Sequence, residues 1–174
     1  MKKLIIYSTL AFLFITLNSF SSYSGHRVKV KNRTAANFQL YSLSGTEVTL
    51  EDFQGKIVIL NFWASWAASC LREMPNLEQL NQKYGPEGIQ VLGIAVVSNK
   101  EDIQNKANMA GVTYPILYGT KELIASYGSF SDLPTTFIID EQGKILKQLS
   151  GSNDYKTLQQ EIIPLLPDPA LSKR

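Results

Sequence analysis

The one cysteine of this 174-residue chain closes the stretch Asn61-Phe62-Trp63-Ala64-Ser65-Trp66-Ala67-Ala68-Ser69-Cys70. A thiol acts as a nucleophile through its thiolate form. In thiol–disulfide exchange that thiolate attacks a disulfide sulfur, and a second thiol resolves the mixed disulfide that results. In a C-x-x-C arrangement the two thiols stand three residues apart. Three residues before Cys70 stands Ala67, so the chain offers one thiol where dithiol chemistry asks for two. His26 is the one histidine and lies far from Cys70 in sequence. The clustered nitrogen and sulfur ligands of zinc and haem sites are therefore missing, and neither a metal nor a cofactor is expected.

The compartment bears directly on what a lone thiol can do. Met1-Lys2-Lys3 precedes Leu4 to Leu17, a run apolar except for Tyr7, Ser8, Thr9 and Thr16. This pattern reads as a secretory signal over residues 1–24, with Ser22-Tyr23-Ser24 before Gly25 as an imperfect cleavage site. The run is short for a membrane span, which needs ~17–25 apolar residues. The alternative is an uncleaved N-terminal anchor, the only membrane contact expected. No cysteine adjoins the leader, which excludes lipoprotein processing. Both readings put the body outside the cytoplasm, periplasmic or anchored facing the periplasm, where disulfides persist. A single cysteine there is buried and inert, pairs with another molecule, or is what remains of a redox site. Of the 17 basic residues two, Lys2 and Lys3, belong to the leader, so the mature chain is close to neutral against its 15 acidic residues. No basic block stands out, and nucleic acid is not an expected partner.

The elements that position Cys70 follow from periodicity. Residues 25–34 read as a polar, flexible lead-in, 35–167 as one domain, and 168–174 as a frayed tail. Phe38–Tyr41 and Glu47–Leu50 are short strand candidates joined through Ser44-Gly45. Asp52 to Gly55 reads as a helical turn. Lys56–Trp63, almost continuously apolar and β-branched, suits a strand covered on both faces. Ala68–Tyr84 predicts a helix with Leu71, Met74, Leu77, Leu80 and Tyr84 on its inner side and Pro75 as a bend. Ile89–Val97 predicts a second buried strand. Lys100–Ala110 predicts a helix capped by Ser98 or Asn99. A turn and extended piece over 111–118, a brief helix over Lys121–Tyr127, strands at Thr135–Ile139 and Lys144–Leu149, and a helix over Tyr155–Leu166 complete the order. Strands alternating with helices predict an α/β domain, a mixed sheet with helices on both faces.

This order and three local motifs resemble the thioredoxin superfamily, and within it the extracytoplasmic thiol-disulfide oxidoreductase branch named for TlpA and ResA. The motifs are Asn37 to Leu40 through Gly45, Leu50 and Gly55-Lys56; Phe62 to Trp66 followed by Cys70, Arg72, Glu73, Met74 and Pro75; and Gly128 through Leu133-Pro134-Thr135 to Asp140 and Gly143. The resemblance covers roughly Ala35 to Leu166 and implies a thioredoxin-like fold with an N-terminal β-hairpin extension. It implies that Ala67 replaces the exposed attacking cysteine and that Cys70 is the more buried resolving one. It also implies a cis bond before Pro134, whose loop, with Trp66, Leu133 and Thr135, supports the site and faces an extended substrate. The implied partners are protein thiols or disulfides, such as a cytochrome c maturation client.

Ala67 has no sulfur to attack with, which leaves two functions in competition. One is a family oxidoreductase impaired by that substitution. The other is a redox-inactive protein that holds an extended peptide or partner at the Trp66/Pro134 rim. A resemblance to the one-cysteine peroxidases, related in fold, would imply Thr or Ser at position 67 and Pro at 63; Ala67 and Trp63 argue against it. Among the remaining residues, Trp63 reads as packing and Asn61 as a hydrogen-bonding core residue. Arg72 and Glu73 read as solvated helix residues, and Phe130 to Asp132 as part of the rim.

Overall fold

The computed structural model describes residues 27–28 and 33–166; the leader, His26 and the tail over 168–174 lie outside the described residues. The polar lead-in supplies β1 (Arg27–Val28) and β2 (Arg33–Thr34), and a hairpin follows, β3 (Gln39–Tyr41) with β4 (Glu47–Thr49). A single 3-10 turn at Glu51–Phe53 leads to β5 (Ile57–Trp63), in which every residue is buried. Next come α1 (Ala68–Tyr84), β6 (Ile89–Ala95), α2 (Lys100–Ala110), β7 (Ile116–Tyr118) and α3 (Lys121–Ser126). The chain closes with β8 (Thr135–Ile139), β9 (Lys144–Ser150) and α4 (Tyr155–Ile162).

The seven-stranded sheet runs β1, β9, β8, β5, β6, β7, with β2 also paired to β9. β5 is central, parallel to β6 and antiparallel to β8. Successive side chains of a strand point to opposite faces, so one apolar run feeds two cores. Ile57, Ile59 and Trp63 pack with α1, α2 and α4 residues such as Met74, Leu77, Ile103 and Leu158. Val58, Leu60 and Phe62 pack with Phe38 and Leu40 of the hairpin segment, Leu123 of α3 and Tyr127. A mixed sheet flanked by helices, as the order predicts, is the observed architecture.

The lead-in departs from a purely flexible reading where it pairs with β9: Arg27 opposes Leu149 and Arg33 opposes Ile145. The Arg33 guanidinium also donates to the Tyr127 carbonyl at 2.7 Å. Main-chain pairing needs no apolar side chain, so a polar segment gives no periodic sign of it. Among the described residues no helix is long and apolar enough to cross a membrane.

Candidate functional site

β5 ends at Trp63, and Ala64 to Ala67 carry the chain over the end of the sheet into α1. Ala67 stands at the N-cap with extended backbone and no side-chain acceptor for the first amides of the helix. A helix N-terminus favours negative charge through its unpaired amides and dipole. Position 67 is therefore where a thiol would be most easily ionised, and it carries a methyl group that is only 8% exposed.

Cys70 sits one turn further in at 1% exposure, among Trp63, Met74 and Leu77. Burial pushes its thiol pKa above the ordinary value, and the nearby Glu73 carboxylate pushes the same way. The protonated thiol is the weak nucleophile.

The loop beyond α3 brings Pro134 against this turn. The Leu133–Pro134 peptide bond is cis, and Pro134 and Thr135 are buried. The Ser69 hydroxyl donates to the Leu133 carbonyl at 3.1 Å, tying the first turn of α1 to the proline loop. The Thr135 hydroxyl donates to the Asp132 carbonyl at 2.6 Å, and the Gly151 amide to the Pro134 carbonyl at 2.9 Å. On the other side Trp66 is 67% exposed, with its indole N–H donating to the Val97 carbonyl at 2.9 Å. The structure thus ties the loop of Leu133, Pro134 and Thr135 to the first turn of α1, with Cys70 inward, while Trp66 stands outward on the side of Val97. Phe130, expected on the rim, packs its ring on Phe62 and Phe137.

Glu73 corrects the sequence reading most. It is fully buried one turn after Cys70. One carboxylate oxygen accepts from the Asn153 amide and side chain at 2.8 and 3.0 Å. The other accepts from Asn61 Nδ2 at 2.8 Å, and that same nitrogen donates to Thr136 Oγ1 at 2.8 Å. Burial raises its pKa from 4.5 to about 7 against these donors, which act to lower it. Asn61 is the hydrogen-bonding core residue expected of it, and Trp63 is packing, fully buried. The missed signal was position: Cys70, Glu73, Leu77, Leu80 and Tyr84 recur at helical spacing on the buried side.

Among the described residues no group of three or more His, Cys, Asp or Glu side chains is placed to hold a metal ion. What the arrangement offers is a protonated core thiol, a buried carboxyl group beside it, one exposed aromatic ring and a cis-proline loop.

A family model described as the AhpC/TSA family matches residues 32–148. Similar proteins include the thiol-disulfide oxidoreductase ResA of Geobacillus thermodenitrificans, 34% identical over 134 residues, 77% of each chain. The thioredoxin-like protein YneN of Bacillus subtilis is 34% identical over 149 residues, 83% of this chain and 86% of that one. Among solved structures, a putative thiol:disulfide interchange protein DsbE from Chlorobium tepidum superposes with a TM-score of 0.74 at 29% identity. That match covers 80% of this chain and all of the other.

Proposed function

From the premise that the chain belongs to the AhpC/TSA family, in the thioredoxin-like group of ResA, we propose that it is an oxidoreductase scaffold impaired in exchange, which engages polypeptides at the Trp66/Pro134 rim without turning them over. The observation that carries this reading is the pairing of Ala67, a methyl group at the helix end, with Cys70, a protonated thiol at 1% exposure. Without a thiol at 67 no mixed disulfide forms there, and Cys70 has no disulfide within the chain to close. The rim is independent of sulfur: Ser69 fixes the Leu133 carbonyl, and the Val97 carbonyl fixes the Trp66 ring.

The partners in this reading are protein thiols and disulfides of an extracytoplasmic compartment, a cytochrome c maturation client being one such class. The basic and apolar leader over residues 1–24, cleaved or retained as an anchor, supports the compartment. The test is insulin reduction with a dithiol donor. The natural chain is expected to show no rate above the donor alone, and Ala67→Cys to restore turnover. Robust turnover by the natural chain overturns the proposal. Alkylation of Cys70 in the folded protein is expected to be slow, and fast labelling at neutral pH would contradict the core assignment of that thiol.

A further inference from the structure

We propose that two asparagines divide the Glu73 carboxyl group between them: Asn153 anchors one oxygen in either charge state, while the Asn61 side-chain amide turns over, together with the Thr136 hydroxyl, as the other oxygen gains or loses a proton.

The donor geometry leads to this. All three hydrogen bonds to Glu73 come from N–H groups, which suits a carboxylate and not a carboxylic acid. A proton on Oε1 would face the Asn153 main-chain amide, which cannot turn, and the Asn153 Nδ2, which also donates to the Gly151 carbonyl at 2.8 Å. The loop is pinned further by Asn76 Nδ2, which donates to the Asn153 carbonyl at 3.2 Å. A proton on Oε2 faces one donor, Asn61 Nδ2, shared with Thr136 Oγ1. Turning the Asn61 amide over puts Oδ1 where Nδ2 stood. That oxygen accepts from the protonated Oε2 and from the Thr136 hydroxyl, so both contacts persist with donor and acceptor exchanged.

An unpaired polar group in a core is costly. This arrangement leaves none at these contacts in either state. The proton comes from and returns to bulk water, and no bond other than O–H changes. The titratable groups facing Glu73 are the Cys70 thiol on its own helix and Tyr114 from the segment before β7, which also feels Glu78. From β5, β8 and the loop before α4 the facing groups are Asn61, Thr136 and Asn153, none of which titrates. Asn61 is thereby a positioning residue, acting on the thiol turn through Glu73.

The test is a pH titration of the natural chain by NMR. It follows the Glu73 side-chain carbon, the Asn61 side-chain amide and both Asn153 amides. The Asn61 signals are expected to move with the Glu73 midpoint while the Asn153 main-chain amide holds. Asn61→Ala removes the partner of Oε2 in both charge states, so the Glu73 midpoint is expected to stay within about half a pH unit, whereas loss of a fixed donor would raise it by about one unit, roughly tenfold in proton affinity. Asn61 signals indifferent to the titration, Asn153 responding in their place, or a midpoint raised by about one unit or more in the folded variant would each overturn the proposal. If Asn61→Ala does not fold, the natural-chain titration decides. A second arm rests on the proposed thiol chemistry: with Ala67→Cys, adding Asn61→Ala is expected to keep the pH profile of insulin reduction within about half a pH unit, and an upward shift of about one unit would mark Asn61 as a fixed donor. An inactive Ala67→Cys protein overturns the chemistry, while the titration still decides the role of Asn61.

Discussion

At the scale of single residues, Glu73 makes stability depend on pH in the direction opposite to an ordinary paired carboxylate. The folded state raises its pKa from 4.5 to about 7, so folded protein binds that proton more tightly than unfolded chain does. Its contribution is fully present below about pH 4.5 and is lost as pH rises through about 7. Urea unfolding of the natural chain and of Glu73→Gln, compared at roughly pH 5 and pH 8, should show the natural chain losing up to about 3 kcal/mol relative to the variant. A difference independent of pH would contradict the assignment. Val97 offers a second case. It is β-branched, 71% exposed, and held at a φ of 49°. Left-handed backbone costs an L-residue ~1–2 kcal/mol, and asparagine tolerates it better. Val97→Asn should therefore raise stability by about 1 kcal/mol, read as a melting temperature a few degrees higher. Neither residue declared itself in the sequence. Glu73 lies on the buried stripe of α1, but its polarity argued for solvent, and its three donors come from segments 12 and 80 residues away. The burial of Cys70 and the cis bond before Pro134 were legible because local motifs mark them.

At the scale of elements, boundaries were readable where a local signal sets them and were missed where a tertiary contact does. α1, α2 and β8 run as their periodicity predicts. α2 starts at the Asn99 cap, whose side chain accepts from the Asp102 amide. β6 stops two residues short of the apolar run: the Val96 amide bonds the Trp63 carbonyl, and the chain then turns at Val97. α4 ends at Ile162 and tightens into a 3-10 turn, because Pro164 has no amide to continue an α-helix. Its start is set by Asp154, whose carboxylate accepts from the Thr157 amide at 2.7 Å. Hydrogen bonds from Thr157 hold that carboxyl below its usual pKa, so the cap contributes above the unfolded value and fades as pH falls through the folded one. Asp154→Ala should cost about 1 kcal/mol at neutral pH by chemical denaturation. The cost should shrink in strong acid, the opposite trend to Glu73, and a loss constant with pH would count against the cap.

At the scale of the whole molecule, the extension outside the core fold protects the sheet that carries the site. Strand edges present unpaired amides and carbonyls that recruit other chains. One edge strand, β9, is paired by β1 and β2. The other, β7, is met by the turn of the hairpin: Ser42 bridges Leu117, and the Leu43 amide donates to the Ile116 carbonyl at 3.0 Å. The hairpin therefore covers the β7 edge as well as burying Phe38 and Leu40 on the second core. A free strand edge would offer an unselective way to hold an extended chain, and the hairpin turn closes that edge at β7. Leu43→Pro removes the amide that bonds Ile116, while Leu43→Ala keeps it and loses only packing. Both variants should lose stability, but only Leu43→Pro should show self-association that grows with concentration in sedimentation velocity. Equal behaviour of the two would assign Leu43 to packing alone and leave the β7 edge without the protection argued for it.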